Sequence, residues 1–115
     1  VDEPGPGLAV AFVRSVAVLA LPAEAQTEWL RGNGVYPSTD ELALTFDDGF
    51  RLTPIFLDRG WLNARALPVL VELNEHLDAM SAGTNADLWH ADSLPGGTEW
   101  NRVREWARTA LTLLA

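Results

Sequence analysis

Apolar residues near the start of the chain recur at helical spacing. From Leu8 to Ala20, the positions Ala9, Phe12, Val13, Val16, Ala17 and Ala20 fall three or four apart, as one face of an α-helix requires. Leu19 and the bulky Phe12 widen that stripe, which predicts a largely buried helix. Pro22 suits the first turn of a second helix, where a missing N–H costs nothing. That helix runs through Trp29 and Leu30 and meets a C-terminal stop at Gly32-Asn33-Gly34. In the second half, Leu70, Leu73, Leu77 and Met80 predict a helix over 68–81, closed by Ser81-Ala82-Gly83. Trp100, Val103, Ala107, Ala110 and Leu114 predict another over 98–114, with Thr98 as N-cap and Glu99 just inside it. Between them lie a turn-rich stretch around Thr84-Asn85, a short segment from Asp87 to Leu94, and the breaker Pro95-Gly96-Gly97.

The stretch from Tyr36 to Trp61 supports two readings. Ser38 followed by Glu41 is a capping-box pattern, and Leu42, Phe46 and Phe50 then share a helical face. Yet Leu42, Leu44 and Phe46 also alternate, as do Phe50, Leu52 and Phe56, with Asp48-Gly49 between them, which is a hairpin pattern. A lone hairpin is marginal, and no third strand is visible. Helix is therefore preferred over 38–56, with Pro54 opening a short turn that ends at Gly60; a central hairpin at 41–56 is the alternative. The expected fold class is mainly α, a compact bundle of about five helices. The alternative class is α+β around that hairpin. Residues 1–7 read as a flexible leader and 8–115 as a single helical domain.

Composition narrows the function classes. The 115 residues are 48% hydrophobic and 21% charged, a globular balance. Sixteen acidic residues oppose eight basic ones, for a formal charge of −8. A field of that sign repels phosphates, so no nucleic-acid partner is expected. All eight basic residues are Arg, which reads as the codon bias of a GC-rich bacterial genome. The absence of Cys removes disulfides, a thiol nucleophile and thiolate metal sites. Leu8 to Leu21, followed by Ala23-Glu24-Ala25, imitates a signal peptide, but the preceding segment is acidic and Arg14 interrupts a run too short to span a bilayer. No membrane association is expected, and the cytoplasm is the expected compartment.

The string Thr45-Phe46-Asp47-Asp48-Gly49 resembles the first motif of the polysaccharide deacetylases. That resemblance implies a catalytic base at Asp47 and a metal ligand at Asp48, within a metal-dependent hydrolase. The family completes its metal site with two His four apart on a following helix. Here the only histidines are His76 and His90, and the pattern stops at a handful of residues. The alternative metal set is Asp47, Asp48 and His76. In a second cluster, Glu72, Glu75, His76 and Asp78, Glu72 and His76 are four apart and could share a metal, and an acidic, solvated helix face explains the pattern equally well. No cofactor is expected, and no catalytic residue is assigned. The stretches STDELALTFDDGF, LDAMS and EWNRVREWARTALTLL resemble small acidic proteins of actinobacteria, a likeness that implies no activity.

Five Trp are many for this length. Trp100 lies on the apolar stripe of its helix, whereas Trp106 is offset from it, so Trp89 and Trp106 are the candidate partner-binding residues. The expected function is a non-enzymatic protein-interaction domain with an acidic surface. An immunity- or antitoxin-like protein that covers a basic partner fits, as does a homodimeric accessory protein.

Overall fold

The first helix of the computed structural model, α1 (Pro6–Ala20), begins with Pro6 in its first turn, where no intrahelical N–H is needed. The structure describes residues 5–83 and 86–115. The leader read at 1–7 therefore lies outside the described residues over positions 1–4, while Pro6 and Gly7 belong to α1. Ala9, Phe12, Val16, Leu19 and Ala20 turn inward, as their spacing predicts. The helix is not buried throughout, because Leu8 and Val10 stay open to solvent near its start. It stops at Leu21, whose backbone is extended because the following Pro22 disfavours the helical region.

Five more helices follow among the described residues: α2 (Ala23–Gly32), α3 (Asp40–Phe50), α4 (Thr53–Asp58), α5 (Leu67–Ala82) and α6 (Thr98–Leu114). Short 3₁₀ turns at Ala64–Ala66, Ala86–Trp89 and Ala91–Ser93 join them. No strand occurs among these residues, and the result is a compact all-α globule. Helix α1 lies between α3 and α6, while α5 packs firmly on α6 and more loosely on α3. The turn-rich stretch at Thr84-Asn85 lies outside the described residues.

The hairpin alternative at 41–56 is overturned. Alternation would have set Leu42, Leu44 and Phe46 on one face, but Leu42 and Phe46 are fully buried and Leu44 is 53% exposed. A helix satisfies its own backbone groups, whereas a hairpin without a third strand leaves an edge unpaired. The helical segment preferred over 38–56 is two helices, α3 and α4, that meet at Arg51 and Leu52, and the short turn expected from Pro54 is the helix α4, with Pro54 in its first turn. Two caps also differ from expectation. Ser38 accepts a hydrogen bond from Asp40 N (3.2 Å) without forming a capping box. Thr98 is the first residue of α6, and Gly97 occupies the N-cap.

Two packing constraints hold α1 in place. Its aromatic face meets α3 and α4, with ring centroids 5.4 Å apart for Phe12–Phe46 and 6.2 Å for Phe12–Phe56. A Cβ on Gly49 would fall 2.5 Å from Phe12 Cδ1 and 2.7 Å from Phe12 Cβ, so this approach of α1 to α3 requires glycine. At the other end, Leu21 N donates to Val18 O (3.2 Å), and side chains meet the last carbonyls of α1. Gln26 Nε2 donates to Val18 O (3.2 Å) and Leu19 O (3.0 Å), and Arg108 Nε donates to Ala20 O (2.9 Å). Buried Arg104 donates Nη1 to Gln26 Oε1 (2.9 Å) and Nη2 to Leu94 O (2.7 Å) and Asn101 Oδ1. Burial, with Arg108 nearby, holds the Arg104 guanidinium below its ordinary pKa.

Gly49→Ala is expected to lower the unfolding free energy by about 1–3 kcal/mol through overpacking against Phe12. Gly32→Ala, where an added methyl meets nothing, should stay within about 1 kcal/mol of the parent chain. Gln26→Leu should cost about 2 kcal/mol, because Leu19 O and Arg104 each lose a buried partner while Val18 O keeps Leu21 N. Urea denaturation followed by circular dichroism measures all three.

Candidate functional site

Helices α3 and α5 run antiparallel and do not close on one another. On α3, Asp40, Ala43, Leu44, Asp47 and Arg51 form a stripe, and Asn74, Leu77, Asp78 and Ser81 form the facing stripe on α5. Two adjoining depressions of about 200 and 270 Å³ share Ala43, Leu44 and Ser81, so they make one continuous groove. Its lining mixes Ala43, Leu44 and Leu77 with carboxylate, amide and hydroxyl side chains, and Leu44 is common to both depressions. Asp47 is held by Arg51 at 2.8 Å, an (i, i+4) pair at one end. Asp40 and Asp78 have no ion-pair partner among the described residues. Asp40 also sits in the first turn of α3, where the helix dipole favours a carboxylate.

Trp89 closes the other end of the groove. It is half-buried, with its ring edge-on to the fully buried Trp100 at 5.6 Å. The chain around it is fixed by a knot of hydrogen bonds. Thr39 N donates to Trp89 O (3.0 Å), and Ala91 N donates to Pro37 O (2.8 Å). Leu88 O accepts from Thr39 Oγ1 (3.3 Å), Ser93 Oγ (2.8 Å) and Trp100 Nε1 (2.8 Å). A distant part of the chain thereby sets Trp89 beside the start of α3.

The other candidate residues lie elsewhere. Trp106 is half-buried against His76, edge to face at 4.9 Å, whereas Trp89 borders the groove. His76 Nε2 faces Glu99 O at 3.0 Å and Glu99 Oε2 at 3.4 Å, between α5 and α6. Asp48 turns away from the groove to the other side of α3, where it borders a cavity of about 290 Å³ with Leu8, Phe12 and Gly49. Asp47 and Asp48 are separated because neighbouring helical residues point about 100° apart. Among the described residues, no three His, Asp or Glu side chains gather closely enough to hold a metal ion. His90 Nδ1 accepts from Asp92 N (3.1 Å), a local turn bond in the Ala91–Ser93 turn. Arg31 binds Glu28 at 2.7 Å and covers the Tyr36 ring at 4.6 Å; the Glu28 bond, then Tyr36, raises its pKa.

The groove itself escaped the pattern reading, although its outward stripe was visible. Leu44 fits the hairpin alternation as well as a helix, and its exposure on α3 is what marks the site. No described helix is long and apolar enough to cross a membrane. Comparison of the chain with protein-family models, curated proteins and solved structures finds no match.

Replacing Leu44 tests whether this face is surface in the folded protein. Leu44→Ser is expected to change the unfolding free energy by no more than about 0.5 kcal/mol. Leu42→Ala, two residues away in the core, should cost about 2–5 kcal/mol. Equal losses in thermal or chemical melts would place Leu44 in the core instead.

Proposed function

We propose that this chain is a non-enzymatic protein-interaction domain that presents its acidic surface to a protein partner through the α3–α5 groove. The observation that carries this reading is Leu44, 53% exposed in a groove of mixed lining while Leu42 and Phe46 on the same helix fill the core. A leucine held half-open in this way contributes less to folding than a core leucine, and it adds buried area when another molecule covers it. Trp89 adds a rigid aromatic rim that is already tied down, so little side-chain freedom is lost on contact. The formal charge of −8 draws cationic partners toward the molecule. The same charge opposes association of two copies. No buried side-chain nitrogen or oxygen lacks a hydrogen bond among the described residues.

The test compares the chain with a Leu44→Arg variant as bait in a lysate of the source cells, with light scattering on the purified protein. A discrete protein recovered in near-stoichiometric amount by the parent chain, and lost in a folded Leu44→Arg variant, is the expected result. A strict monomer that recovers nothing would remove the proposal. A dimer abolished by the same substitution would make the partner a second copy.

A further inference from the structure

We propose that the groove between α3 and α5 takes a cationic amphipathic helix from another protein, with its apolar stripe on Leu44 and Trp89 and its Lys or Arg side chains at Asp40 and Asp78. This rests on the interaction reading above and adds the chemistry and shape of the partner. Three observations support it.

The shape comes first. The site lies between two antiparallel helices, and Asp40 to Arg51 spans about 16 Å at 1.5 Å per residue. That length accepts about three turns of helix, laid in as a ridge between two rows of side chains. An extended peptide adds to the edge of a sheet, and no strand exists among the described residues to offer one.

The chemistry of the lining comes second. Leu44 and Trp89 supply the apolar anchors at the middle and one end, and apolar residues three, four and seven apart on the incoming helix meet such a line. Asp40 on α3 and Asp78 on α5 stand on opposite sides of the groove without an ion-pair partner among the described residues. Arg51 is already committed to Asp47, which leaves two carboxylates to be matched. Cations flanking an apolar stripe satisfy both.

Charge decides between occupants. A second copy of this chain brings another −8 and meets like charge at the groove, whereas a Lys- or Arg-rich helix is steered toward it.

A fluorescein-labelled, 18-residue helical peptide with a leucine stripe flanked by lysines is the probe, read by anisotropy at physiological salt. Its comparators are a scrambled peptide of the same composition and a charge-reversed peptide with Glu for Lys. The parent chain is expected to bind the amphipathic peptide and not the other two. Leu44→Ser and the double variant Asp40→Asn/Asp78→Asn should each weaken binding by about tenfold, as loss of an interface anchor does. The double variant Glu24→Gln/Glu105→Gln removes the same charge from exposed sites on α2 and α6 and should weaken it by less than about twofold. Equal binding of the scrambled peptide, or equal loss in the two double variants, would reduce the effect to general charge attraction and overturn the proposal. If the probe fails while a native partner is still captured through Leu44, only the cationic-helix assignment falls. If nothing is captured either, the interaction reading falls with it.

Discussion

The end of α1 sets the arrangement of the other helices. A helix that stops inside a protein leaves carbonyls without partners, and burying them unpaired costs about 1–3 kcal/mol each. Here Gln26 reaches back to two of these carbonyls and Arg108 to a third. Arg104 in turn holds Gln26 and ties Leu94 to the same point. The start of α2, the middle of α6 and the loop before α6 are therefore fixed around one helix terminus. Two arginines near a C-terminal helix end also match the sign of its dipole. Among the described residues the hydrogen bonds of Arg104 go to neutral oxygens, and burial, with Arg108 nearby, lowers its pKa.

With one end of α1 tied, its other half is set by contact with α3. Gly49 lets the two backbones approach until Phe12 rests where a side chain would otherwise be. The last residue of the deacetylase-like string thus has a packing role. The two aspartates before it are divided by the helix, one toward the α3–α5 groove and one toward the cavity beside α1. Because α3 is drawn onto α1, its opposite side is left loosely covered by α5, and Leu44 remains in the gap. The close contact and the open groove are two sides of the same helix.

Trp89 shows how a site residue is positioned by contacts remote in sequence. Its carbonyl accepts from Thr39, and the neighbouring Leu88 carbonyl joins Thr39, Ser93 and Trp100. Trp106 has the same residue type and is likewise half-buried, yet it lies against His76. Residue type and periodicity did not separate these two environments. The separation depends on which segment crosses each ring, and that is a tertiary matter.

Periodicity alone was enough for α1, α5 and α6, because their apolar residues recur at 3.6-residue spacing over several turns and tertiary contacts only confirm the face. It also located the breaks at Gly32-Asn33-Gly34 and near Pro54, where backbone freedom or a missing N–H acts locally. Between Ser38 and Phe56 the local signals were balanced. Leu42, Leu44 and Phe46 satisfy a two-residue period and a helical period almost equally, so the backbone choice awaited a packing surface. Phe12 supplied that surface by taking Phe46 and leaving Leu44 outside. The acidic charge, the absence of cysteine and most of the helical content follow from the sequence by itself. The groove, the separation of Asp47, Asp48 and His76, and the Gln26–Arg104 link were decided only by tertiary structure, because each joins residues whose meeting depends on how whole helices pack.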